Sequence, residues 1–124
     1  MVVGLGIDVA SIERLGRSLE RFGDKIWSRV LTERERDDLS KRANRAEALA
    51  GRFAAKEAAT KALGAPLDVG FHDLEVRRGP SGAPELHLLG AARVHAERLG
   101  VARALISITH DAGIAAAVVV LETA

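Results

Sequence analysis

The sequence predicts an α+β fold: a single small domain with helices packed on a largely antiparallel sheet. Three observations carry this expectation. The chain has 124 residues, the length of one domain around one core. Its segments read in the order β-α-α-α-β-β-α-β-β, with short turn signals between neighbouring strands and no internal repeat. Its 48% hydrophobic and 28% charged residues are the composition of a globular chain, not of a disordered one. Residues 1–124 are therefore read as one domain.

Each element has a local reason. Val2 to Ala10 is an expected strand, with Val3, Leu5, Ile7 and Val9 on one face and Gly4, Gly6 and Asp8 on the other. No basic stretch precedes its apolar run, which reaches an aspartate at position 8, so it is not read as a signal peptide. Ser11 is placed to cap a helix running to about Phe22, and a charged helical segment follows from about Asp24 to Lys41. The longest helix is expected from about Asn44 to Leu63, stopping at Gly64 with Pro66 beyond. Residues 71–78 and 85–89 read as strands joined by the turn GPSGAP. Residues 91–99 form a short helix closed by Gly100, and the chain ends in a hairpin of two apolar strands about the turn DAG.

Composition also excludes functions. A formal net charge of +1 rules out a broad electrostatic grip on nucleic acid. The acids interleaved in RERERDDLSKRANR and an aromatic content of only 3% oppose a nucleic-acid surface as well. The absence of cysteine removes disulfides and thiolate metal sites. No apolar run approaches the roughly 20 residues that span a bilayer. A cytoplasmic protein without membrane contact is the expectation.

The stretch GRFAAKEAATKALG, residues 51–64, carries the chemical signal. At about 100° per residue, Ala46, Leu49, Ala50 and Phe53 make one apolar stripe. Its next turn lands on Glu57, and the turn after that near Lys61. A carboxylate without partners is costly on a core-facing stripe. Either Glu57 forms an (i, i+4) ion pair with Lys61, or the stripe ends in a cleft where Glu57 binds a metal.

On a second strip, Arg45, Arg52 and Lys56 have no acidic residue three or four positions away. Such a strip suggests a bound phosphate compound with a divalent cation between phosphate and carboxylate. Asp8, at the end of the glycine face of the first strand, offers a second carboxylate. Hard cations such as Mg²⁺ take one or two protein carboxylates and complete their shell with substrate phosphates and water.

Taken together, GIDVASIER, GRFAAKEAATKALG and SITHDAGIAAAVV resemble the small bacterial 4′-phosphopantetheinyl transferases, the holo-[acyl-carrier-protein] synthase family, in order and spacing across nearly the whole chain. The resemblance implies transfer of 4′-phosphopantetheine from coenzyme A to a serine of acyl carrier protein, with adenosine 3′,5′-bisphosphate released and Mg²⁺ as cofactor, in support of fatty acid biosynthesis. It implies Asp8 and Glu57 as metal ligands, with Glu57 or a metal-bound water as base. Lys61 would steady the leaving bisphosphate. Arg45, Arg52 and Lys56 are candidates for the nucleotide phosphates, and His110 lies at a family position near the nucleotide. Lys41, Arg42 and Arg45 stand as alternatives for the 3′-phosphate.

The resemblance further implies a homotrimer with sites at subunit interfaces, and docking of the acidic carrier protein on the first helix. There Arg14, Arg17 and Arg21 recur at i, i+3 and i+7, with Arg14 in the family motif. The chain departs from its relatives at Ala83 in the hairpin turn, and at Ala65 and Pro66 after the long helix. His72, His87 and His95 show no ligand spacing. The competing reading is a non-catalytic module that binds a nucleotide or an acidic protein. It lacks a reason for two carboxylates beside a phosphate site.

Overall fold

The glycine face of the first strand turns inward, and Leu5, Ile7 and Val9 look out; Val3, expected on their face, instead packs against the core beside a register shift between Val2 and Gly4. In the computed structural model, which describes residues 1–124, β1 (Val2–Ser11) lies beside β5 (Ile114–Thr123), which in turn pairs with β4 (Val101–Asp111). All three strands are antiparallel. The long helix α4 (Arg45–Ala62) crosses the inner face of this sheet. A Cβ at Gly4 would collide with the carbonyl oxygen of Ala62, and one at Gly6 with that of Ala58. Only glycine permits this approach, and Asp8, next on the same face, is thereby carried to the flank of α4.

The opposite sheet face is uncovered. Leu5, Ile7 and Val9 are 66%, 65% and 58% exposed. Their β5 neighbours in register are Val120, Val118 and Ala116, and Leu105 on β4 lies across from Val120. The β4–β5 turn has positive φ at both Ala112 (51°) and Gly113 (79°), the two-residue geometry that suits the right-handed twist of paired strands.

Helix α1 (Ile12–Phe22) starts where Ser11 accepts a hydrogen bond from the Arg14 amide at 3.1 Å. The expected charged helix from Asp24 to Lys41 is instead two helices, α2 (Asp24–Val30) and α3 (Glu33–Leu39). Thr32 breaks it. Its hydroxyl accepts from the Glu35 amide, and the Glu35 carboxylate accepts from the Thr32 amide, a reciprocal cap that starts a new helix. α4 begins at its Asn44 cap, which accepts from the Glu47 amide at 3.0 Å.

The segment expected as a strand from 71 opens with a 3₁₀ turn, Phe71–Asp73, before β2 (Leu74–Arg78). β2 pairs with β3 (Pro84–Leu88) in a separate two-stranded sheet, and α5 (Gly90–Arg98) leads into β4. Alanines dominate the centre: Ala48, Ala50, Ala54, Ala55, Ala58, Ala59 and Ala62 of α4 are all buried. The helix is enclosed on most of its circumference, by the three-stranded sheet on one side and by α1, α2 and β2 elsewhere. It is not a surface helix with one apolar stripe.

Candidate active site and phosphate-binding cavity

Asp8 and Glu57 reach the site from different elements. The Asp8 side chain is 19% exposed and accepts from Lys61 Nζ at 3.0 Å. Lys61 also donates to the Ile7 carbonyl at 3.1 Å. No Glu57–Lys61 bridge forms, because Lys61 turns to the strand. Glu57, half-buried one turn earlier, has no ion-pair partner within the chain. It lines a cavity of about 630 Å³ with Arg29, Thr60, Val69, Gly70, Phe71, His72 and Leu74. His72, which shows no ligand spacing in the sequence, is held there by donating from Nε2 to the Ser28 carbonyl at 2.7 Å.

Phe71, on the wall of this cavity, is linked by side-chain contacts to α4 and α1. Phe71 stacks obliquely on Phe53 with centroids 5.7 Å apart, and the Arg14 guanidinium lies 5.8 Å from the Phe53 centroid. Arg14, Arg17 and Arg21 are all exposed. Arg17 pairs with Glu13 at 2.7 Å, and Arg21 covers the ring of Phe22 at 5.1 Å.

The basic strip of α4 is dispersed to three separate places. Arg45 bonds Asp24 at 3.2 Å and stacks on Trp27 at 4.4 Å, which ties it to α2. Lys56, expected to meet a phosphate, has no exposed surface. Its ammonium is held by Glu35 and by two backbone carbonyls, so it is unavailable to a ligand. The three residues share a helix face, but that face meets other elements of the fold. A partner 21 residues away, as Glu35 is from Lys56, leaves no trace in local spacing.

Arg52 alone opens onto a cavity, of about 170 Å³, lined by Arg42, Arg52, Arg77, Arg78, Gly82, Pro84 and Ile108. Arg77 is paired with Glu75 at 2.6 Å. The Nε of Arg52 is buried without a hydrogen-bond partner. Burial, opposed by Glu35 and reinforced by Arg42, lowers the Arg52 guanidinium below the ordinary arginine range. Four arginines line this one small space, and guanidiniums are the side chains best suited to pair with phosphate oxygens. Sequence reasoning missed Arg77 and Arg78, although the doublet stands immediately before the GPSGAP turn. His110 lies two residues beyond Ile108 on β4, with Nε2 3.4 Å from Glu47 of α4.

No cluster of three or more His, Cys, Asp or Glu side chains occurs, so a cation here would have only two carboxylates from this chain. Asp8 already accepts a cationic group, the Lys61 ammonium, and Glu57 has no internal partner. Both suit a hard, oxygen-seeking ion that also takes phosphate oxygens.

Glu57 on a cavity wall, Asp8 one helical turn away, and a separate arginine-lined cavity make up the site. The chain belongs to the 4′-phosphopantetheinyl transferase superfamily, whose family model matches residues 4–119. It is 49% identical over 125 residues to the holo-[acyl-carrier-protein] synthase of Anaeromyxobacter sp. (strain K), covering 98% of this chain and 97% of that protein. Its fold matches the crystal structure of the Neisseria meningitidis synthase with a TM-score of 0.89 at 31% identity, over 99% and 100% of the two chains. It matches the Helicobacter pylori synthase, solved in complex with coenzyme A, with a TM-score of 0.82 at 32% identity, over 95% and 99%. No helix is long and apolar enough to cross a membrane.

Proposed function

We propose that this protein transfers 4′-phosphopantetheine from coenzyme A to a serine of apo acyl carrier protein, in the cytoplasm and in the service of fatty acid biosynthesis. The observation that carries the reading is the placement of two carboxylates on one flank of α4: Glu57 on the wall of a cavity, and Asp8 on Lys61, one helical turn further along. The serine oxygen attacks the β-phosphorus of coenzyme A. The bond to the α-phosphate oxygen breaks, and adenosine 3′,5′-bisphosphate leaves. Asp8 and Glu57 would hold Mg²⁺, which when bound neutralises charge on the pyrophosphate oxygens.

The protein's own part is positioning and charge placement. Glu57 accepts the serine proton, directly or through water. Lys61, released from Asp8, offers its ammonium to the leaving bisphosphate. Arg52, with Arg42, Arg77 and Arg78, binds phosphate of the nucleotide half, and His110 borders that end of α4. Lys56 has no part in binding. Release of adenosine 3′,5′-bisphosphate, followed by chromatography, should require both apo carrier protein and Mg²⁺. Release without carrier protein would make the chain a hydrolase, and none at all would favour the non-catalytic module.

The carrier protein docks on Arg14, Arg17 and Arg21. Arg14→Ala should raise KM for carrier protein more than KM for coenzyme A, and the effect should fade with added salt, as expected of exposed charges that steer encounter. Steady-state kinetics against each substrate checks this; equal changes in both would contradict a docking role.

A homotrimer is the assembly supported by the uncovered sheet face. Contiguous exposed apolar surface of this kind marks an interface. Ile7→Lys on that face should dissociate the assembly while leaving the monomer folded, and activity should fall with it if neighbouring chains complete the sites. Light scattering and circular dichroism on the variant decide. A fully active monomer would sink the trimer model.

A further inference from the structure

Lys56 and Glu35 are the one ion pair with no exposure on either side chain. All three ammonium hydrogens of Lys56 are used: on Glu35 Oε1 at 2.5 Å, the Val30 carbonyl at 2.6 Å and the Phe71 carbonyl at 2.9 Å. Glu35 in turn accepts from the Thr32 amide through Oε1 and from the Val76 amide through Oε2, each at 2.9 Å. The pair thus joins the end of α2, the start of α3, α4, the 3₁₀ turn and β2.

All of these segments except α3 also contribute walls to the cavity that holds Glu57. Arg29 adjoins Val30, Gly70 and His72 flank Phe71, and Leu74 lies in the strand anchored at Val76. Thr60, another wall residue, donates its hydroxyl to the Lys56 carbonyl at 2.9 Å. Burial pushes the Lys56 ammonium below the ordinary lysine range, against the pull of Glu35 toward the charged form. Replacing a buried ion pair by apolar groups of similar volume is often neutral or stabilising. What hydrocarbon cannot supply is direction: four bonds that fix where two carbonyls and two amides stand.

We propose that the buried Lys56–Glu35 pair is a positioning device for the transfer, which sets the walls of the Glu57 cavity and so the geometry in which serine and phosphate meet. The inference rests on the transferase reading above. Neither residue touches a substrate.

The test compares Lys56→Met, Glu35→Gln and the double variant Lys56→Met/Glu35→Leu, with coenzyme A and apo carrier protein as substrates. Lys56→Met strands a buried carboxylate and should lower the melting temperature. The double variant removes both charges and should regain it. Its kcat should nevertheless stay roughly tenfold or more below wild type, as small misplacements of reacting groups produce. KM for carrier protein should be unchanged, because the α1 surface is intact. Amide exchange at residues 29–31 and 71–74 should quicken in the double variant at preserved melting temperature.

A double variant with wild-type melting and wild-type kcat would overturn the proposal, leaving the pair a structural element only. Should the double variant fail to fold, Glu35→Gln serves, since it keeps the side-chain volume but cannot accept at both oxygens. Full kcat in folded Glu35→Gln would overturn the proposal equally. A wild-type chain that forms no holo carrier protein would overturn the transferase reading, and this one with it.

Discussion

Asp8→Asn and Glu57→Gln should each lower kcat by roughly 10²–10³-fold, the range seen when one group that stabilises transition-state charge is removed. Both substitutions keep shape and change only charge. The fold should survive them. Asp8 is paired with a Lys61 side chain that is 52% exposed, and such solvent-accessible pairs contribute at most about 1 kcal/mol. Glu57 has no internal partner to strand. The Asp8 variant also separates two roles of Asp8, since losing the pair frees the Lys61 ammonium while losing the carboxylate weakens cation binding. If restraining Lys61 were the main role of Asp8, Asp8→Asn would gain activity. Kinetics at saturating coenzyme A, with circular dichroism melts as the control for folding, decides; near wild-type turnover in either variant would contradict the assignment of the carboxylates.

Arg52 should show the opposite separation of stability and binding. Its guanidinium is desolvated, its Nε is buried without a partner, and Arg42 repels it. A buried donor without an acceptor destabilises the fold by about 1–3 kcal/mol. Arg52→Met keeps the apolar stem and removes that burden, so its melting temperature should equal or exceed that of the wild type. Loss of a charge-assisted phosphate contact in a shielded site weakens binding by about 1.5–3 kcal/mol. KM for coenzyme A should therefore rise roughly tenfold to a hundredfold. Melting curves and coenzyme A titrations on the same preparation test both halves. A less stable protein with unchanged affinity would show that Arg52 is a structural residue, satisfied by a partner other than phosphate.

Much of the architecture was legible in the sequence because its determinants are local. Alternation in β1, the Asn44 cap and the turn before β5 all act within a few residues. Gly4 and Gly6 signalled a close approach, and α4 makes it. The break at Thr32 was missed, because the run of charges around it reads as one helix, although Thr32 and Glu35 stand at the spacing of a reciprocal cap. The strip Arg45, Arg52 and Lys56 misled for a different reason. In an alanine-rich helix, periodicity does not mark the solvent side, since alanine packs without difficulty on any face. The charges then find partners across the fold: Asp24 for Arg45, Glu35 for Lys56, and the arginines of β2 around Arg52. The same long-range logic hid the cavity wall formed by Arg29, Phe71 and His72. The outward face of β1 is apolar in sequence, but only the position of α4 tells which face is covered.

The central claim, that Asp8 and Glu57 serve a phosphopantetheinyl transfer, is tested most directly by intact mass of apo acyl carrier protein after incubation with coenzyme A, Mg²⁺ and this protein. The carrier protein should gain the mass of one phosphopantetheine at its serine, and should gain nothing when chelator replaces Mg²⁺ or when Glu57→Gln replaces the wild type. An unmodified carrier protein with folded wild-type protein present, or equal modification by the Glu57 variant, would contradict it.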